Sequence, residues 1–138
     1  MFFMVKPLIQ FSPAERIKLK NLSVSAVVLF GSQVQGVALS QSDYDFGVLL
    51  NDPQRRKQVY DTLYDILSDH IRKLVNIDIV FLQTASAELQ AHVVKHGVPI
   101  FEADKNAFAD FKAQVMIRYA DFAPLRAIFH EGILSRIT

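Results

Sequence analysis

The chain contains no cysteine. That absence excludes a disulfide framework, a thiolate zinc site and a cysteine nucleophile together. It also has no marked excess of charge: 15 Lys and Arg stand against 14 Asp and Glu, a formal net charge of +1. Such a balance supplies no general drive toward DNA or another polyanion. Glycine and proline number five each in 138 residues, and there is no internal repeat, low-complexity tract or linker. Long apolar runs are missing too. Met1-Phe2-Phe3-Met4-Val5 is cut off by Lys6-Pro7, with no basic stretch before it and no signal-length apolar region after it. Val24–Phe30 falls far short of the roughly 20 residues that span a bilayer. The expectation is a soluble, cytoplasmic protein with neither a membrane nor a nucleic acid as its direct partner.

What is present is 51% hydrophobic and 21% charged residues, the balance of a folded chain. Its length predicts a single domain over residues 1–138, large enough for a real core but too small for a separate substrate domain. Strand-like and helix-like segments alternate. Ser12 followed by Pro13 and Glu15 reads as an N-cap, a proline at the first helical position and a capping box, predicting a helix to about Asn21. Val24–Phe30 is a Val-rich strand covered on both faces. Gln33–Leu39 is a candidate short helix, and Tyr44–Leu50 a second strand closed by Asn51-Asp52-Pro53.

Asp52-Pro53 starts the next helix, along which Val59, Leu63, Ile66, Leu67, Ile71 and Leu74 recur at spacings of three and four. Arg55, Arg56 and Lys57 lie in its first turns, where the macrodipole disfavours cations. They read as a solvated face, with contact to phosphate or an acidic partner as the alternative. Val75–Leu82 is a third strand, and Ser86 caps a helix from Ala87 to His96 that ends at Gly97 in the position favouring a left-handed residue. Val98-Pro99-Ile100-Phe101 is extended, with Pro99 marking a sheet edge. The remainder is helical. Phe108, Phe111, Val115, Tyr119 and Phe122 form a stripe that Pro124 interrupts and Leu125, Ile128, Phe129 and Ile133 continue. The stripe reads as core, or as a protein-binding surface where it exceeds what the sheet can cover.

The informative residues are acidic. Asp43 and Asp45 enter the second strand at i and i+2, so their side chains leave one face. Asp78 lies in the middle of the third strand, between Ile77 and Ile79, and is expected to be buried there. A buried carboxylate must be paired, protonated or metal-bound. If the two strands are neighbours, three carboxylates converge. Hard oxygen donors without a thiolate suit Mg²⁺, which keeps coordination positions for water and substrate phosphates. Gly31-Ser32 supplies the other half: glycine allows close backbone approach, and a following helix aims free N–H groups at an anion. Together they make a cradle for a nucleoside triphosphate.

The segment Gly31-Ser32-Gln33-Val34-Gln35-Gly36-Val37-Ala38-Leu39-Ser40-Gln41-Ser42-Asp43-Tyr44-Asp45 resembles the signature of the DNA polymerase β-like nucleotidyltransferases, and specifically of their minimal single-domain (MNT) group. The resemblance extends over most of the chain, through Asp78, the Gly97–Glu102 segment and the C-terminal helices. It implies an α/β fold of α+β type, a small mixed sheet with helices packed on it. It also implies an antitoxin that transfers AMP from ATP to a tyrosine of a cognate HEPN-domain ribonuclease toxin, forming a hetero-oligomer with it. Asp43, Asp45 and Asp78 then match the metal-binding and catalytic carboxylates, Asp78 also activating the attacking hydroxyl, with Mg²⁺ (two ions) as cofactor. Gly31 and Ser32 match the triphosphate-binding residues. Two departures stand out: Gln35 occupies a position usually filled by Arg, and Gln33 one that is often basic. They imply weaker ATP binding, or a basic residue lent by the partner.

Two other functions remain open: an antitoxin that binds its toxin sterically without catalysis, and a small-molecule nucleotidyltransferase. His92 and His96 have the spacing of a two-histidine metal site but no supporting third ligand, and read as surface histidines, His96 suiting a helix C-terminus. His70 and His130 have no spacing partner. Ser32 has no base near it in the motif and is not expected to be a nucleophile.

Overall fold

The structure, a computed structural model, describes residues 9–31, 43–72 and 75–121, with side chains as far as residue 118. Helix α1 (Pro13–Asn21) opens with the expected capping box: the Glu15 N–H donates to Ser12 Oγ at 3.1 Å, and the Ser12 N–H donates to Glu15 Oε1 at 2.8 Å. Strand β1 (Val24–Phe30) and strand β2 (Tyr44–Leu50) have the expected bounds. The expected helix over Gln33–Leu39 lies outside the described residues, as does Ser32. Asp52 accepts from the Gln54 N–H at 3.1 Å and caps a 3₁₀ turn at Pro53–Arg55, which leads into α2 (Arg56–Ile71). Val59, Leu63, Ile66 and Leu67 are its buried stripe; Leu74 lies outside the described residues.

Strand β3 (Ile77–Phe81) is shorter than the expected Val75–Leu82. At the C-terminal end the reason lies in Gln83: its Oε1 accepts from the Leu50 N–H at 3.1 Å and its Nε2 donates to the Leu50 carbonyl at 3.0 Å. A side chain thus takes over the ladder, and the backbone turns away as a 3₁₀ turn at Leu82–Thr84. Helix α3 (Ala87–His96) is capped by Ser86 as expected. Gly97, however, is extended rather than left-handed (φ −73°, ψ 151°). Its glycine is required by closeness: a Cβ there would lie 2.5 Å from Val28 Cγ1 and 2.6 Å from the Val93 carbonyl oxygen. The missing side chain lets the end of α3 press against β1. Strand β4 (Val98–Glu102) and helix α4 (Ala107–Asp121) follow.

The sheet runs β3-β2-β1-β4, with β1 antiparallel to both its neighbours and β2 parallel to β3. The parallel pair needs a long crossover, which α2 provides. Pro99 sits on the edge strand β4, as expected. Each strand divides its residues between two cores. Val27, Leu29, Tyr44, Phe46, Val48 and Leu50 join the cluster containing α1 and α2. Ala26, Val28, Phe30 and Leu49 join Val93, Val94, Phe108, Phe111 and Val115 of α3 and α4. Phe108, Phe111 and Val115 of the aromatic stripe are therefore core, not docking surface; the Tyr119 side chain and Phe122, Pro124, Leu125, Ile128, Phe129 and Ile133 lie outside what the structure describes. The architecture is a mixed α/β layer structure, the class the sequence predicts.

Candidate active site

The site forms at one end of the sheet, where β1 finishes and β2 and β3 begin. Tyr44 and Phe46 are buried on the α1/α2 face, and their rings stack at 6.2 Å between centroids. Strand alternation then sends the intervening Asp45 to the opposite face. The Tyr44 N–H donates to the Asn76 carbonyl at 3.0 Å, aligning the start of β2 beside the start of β3. In register, Asp45 pairs with Phe30 on one side and with Asp78 on the other. Cross-strand partners share a face, so Asp78, Asp45 and Phe30 form a row across three strands on the α3/α4 side.

Gly31 follows at the end of β1 with φ 84°, in the left-handed region. A Cβ at this position would run into Asp45 Oδ2. Glycine is thus required twice over, by the backbone turn and by the approach of a carboxylate to the main chain.

Asp45 is half-buried, whereas Asp43 and Asp78 are exposed. The expectation that Asp78 is buried is corrected: β3 is an edge strand, and its Asp78 face is open at the strand's start. Burial pushes the Asp45 carboxyl above the ordinary carboxylate range, the charges of Asp78 and Asp43 push it further, and His92 partly opposes them. The Asp45 carboxyl thus feels both Asp78 and Asp43. Among the described residues, no three His, Asp or Glu side chains are already gathered closely enough to hold a metal by themselves. That donor set still fits Mg²⁺, which retains several waters and uses one or two carboxylates plus substrate phosphates in place of a full protein cage.

His92, expected to be simply a surface histidine, is exposed but meets the Phe30 ring edge-to-face at 6.3 Å. Its ring also lies 5.0 Å from that of His96. The signal for its placement is the short connection from α3 into β4, which pairs with β1 and so returns the helix end to the site. The cations at the start of α2 are not part of it. Arg55 pairs with Asp52 at 3.4 Å, Arg56 lies over the Phe81 ring at 5.5 Å and Lys57 pairs with Asp61 at 3.4 Å. They follow the far end of β2, so the solvated-face reading holds for them.

The profile of the family described as polymerase beta, nucleotidyltransferase matches residues 15–106. Comparison with curated proteins finds no match. Among solved structures, a chain of the crystal structure of a toxin–antitoxin with AMP-PNP superposes with a TM-score of 0.61 at 23% identity, over 90% of this chain and 99% of that one. A chain of the toxin–antitoxin MntA-HepT gives a TM-score of 0.53 at 20% identity, over 89% and 99%. A chain of a tri-AMPylated Shewanella oneidensis HEPN toxin in complex with MNT antitoxin gives 0.53 at 21%, over 88% and 97%. These likenesses concern the fold. No described helix is long and apolar enough to cross a membrane.

Proposed function

The chain belongs to the polymerase β nucleotidyltransferase family, and from that premise we propose that it is an antitoxin that transfers AMP from ATP to a tyrosine of a cognate HEPN-domain toxin. The observation that carries the reading is the alignment of Asp45 with Asp78 across parallel strands, beside a left-handed Gly31. Support for the biological setting comes from the relatives, whose structures include a toxin–antitoxin with AMP-PNP and an AMPylated HEPN toxin held by an MNT antitoxin. The whole chain acts as one minimal domain in this reading.

Asp43, Asp45 and Asp78 are the residues that would hold Mg²⁺. When bound, the ion supplies charge neutralisation at the phosphate oxygens and at the entering and leaving oxygens. Gly31 lets the backbone come close to the triphosphate, and Ser32, next in sequence, would supply a hydroxyl donor. Asp78 accepts the proton of the tyrosine hydroxyl as its oxygen attacks the α-phosphorus in line. The bond to the bridging oxygen breaks, and pyrophosphate leaves with its electrons. Burial and the neighbouring charges of Asp78 and Asp43 raise the proton affinity of Asp45, and a bound cation would offset them.

Incubation of the purified protein with α-labelled ATP, Mg²⁺ and the product of the adjacent gene tests the reading. Label on the partner, lost with Asp43→Asn, is the expected result. Full transfer by Asp43→Asn contradicts the mechanism. A stable complex without label moves the function to steric neutralisation, and label on a small acceptor with no partner present makes the protein a small-molecule transferase.

A further inference from the structure

We propose that His92 contacts the β- and γ-phosphates of the nucleotide, acting as the donor on the leaving-group side of the carboxylate row; the inference rests on the nucleotidyl-transfer reading above. The row has two ends. Asp78 stands at one, on the edge strand β3, and Phe30 at the other, on β1. In-line transfer places the attacking oxygen and the departing pyrophosphate on opposite sides of the α-phosphorus. With the acceptor hydroxyl at Asp78, the pyrophosphate departs toward Phe30 and Gly31.

His92 is the residue waiting at that end. Its ring lies against Phe30 at 6.3 Å with an interplanar angle of 74°. The helix that carries it is pinned: Gly97 brings its last turn against Val28 of β1 with no room for a Cβ. The imidazole is exposed, so its ring is available to a ligand. A site built from three carboxylates repels a triphosphate until donors and cations offset them. Either neutral tautomer of the ring also carries one N–H, so the contact does not require protonation.

Affinity for two ligands tests the assignment in the presence of Mg²⁺: AMP-PNP, which carries β- and γ-phosphates, and AMP, which does not. His92→Ala is expected to weaken AMP-PNP about tenfold or more, the usual worth of a hydrogen bond to a charged group. AMP binding stays within about twofold on this reading, and His92→Gln, which keeps an N–H donor, recovers most of the loss. Equal weakening of both ligands would mean that His92 acts only by packing on Phe30, and overturns the proposal. So does unchanged AMP-PNP affinity. Asp45→Asn, run beside it in label transfer, separates the two levels. Transfer lost in Asp45→Asn while His92→Ala binds AMP-PNP normally overturns the His92 inference alone. Transfer retained in Asp45→Asn overturns the reading beneath it as well.

Discussion

The two faces of the sheet are built from the same strands and do different work. On the α1/α2 side, β2 contributes Tyr44, Phe46, Val48 and Leu50, all buried, with Phe46 at 0% exposure. On the α3/α4 side the same strand contributes Asp45, Gly47 and Leu49, beginning with a charge and ending in core. The difference shows how a small domain can present a carboxylate on a strand whose other face is core. The apolar face fixes the backbone of β2 and so places Asp45, between two buried aromatic residues, on the opposite face. The strained charge and the stabilising surface are one residue apart in sequence and on opposite faces in space.

That division can be broken from either side. The largest effect is expected from Asp45→Asn, which should lower AMP transfer by roughly ten-thousandfold, about 5.5 kcal/mol in the barrier, with circular dichroism and partner binding unchanged. Phe46→Ala reverses the pattern. It should cost about 3–5 kcal/mol of stability in urea unfolding, while the transfer rate per folded molecule at low temperature changes little. A Phe46→Ala protein that remains stable but inactive would show that the apolar face does more than hold the backbone.

Gly97→Ala probes the docking of α3 on the other face. A Cβ there meets Val28 Cγ1 at 2.5 Å and the Val93 carbonyl at 2.6 Å, so overpacking should cost about 1–3 kcal/mol, seen as a lower urea midpoint. The smallest effect carries the opposite sign. The Asp45 carboxyl is raised by burial and by Asp78 and Asp43, so the folded state binds its proton more tightly than the unfolded chain does. Its favourable contribution is full below the unfolded value and is lost as pH rises through the folded one. At neutral pH without Mg²⁺, Asp45→Asn should therefore be more stable than wild type, by less than about 1 kcal/mol once solvent screening is counted. The gain should vanish on acidification and be cancelled by Mg²⁺, which stabilises only the protein that binds it. Thermal melts of both proteins, with and without Mg²⁺, check the sign.

Much of this was legible in the sequence because it depends on local rules. Ser12, Pro13 and Glu15 announce their helix, and Val24–Phe30 its strand, through caps and apolar runs that need no tertiary partner. The placement of Asp45, within the candidate site, was legible by spacing, since alternation puts it on the face opposite Tyr44 and Phe46. Long-range pairing was not. Nothing near His70 in sequence indicates Glu15, 55 residues away, yet His70 Nε2 lies 2.9 Å from Glu15 Oε1 and joins α2 to the cap of α1. The exposure of Asp78 depends on β3 being an edge, a property of strand order. The extended Gly97 escaped for a similar reason: local chemistry suggested a left-handed cap, and contact with Val28 set the actual requirement.

The reaction proposed for the row of carboxylates on the α3/α4 face is nucleotidyl transfer to a protein partner. Intact-mass analysis of the adjacent gene's product after incubation with ATP, Mg²⁺ and either wild type or Asp45→Asn tests it directly. A partner heavier by one or more AMP units with wild type, and unchanged with Asp45→Asn, is the predicted result. An equal mass increase with both proteins would contradict the account.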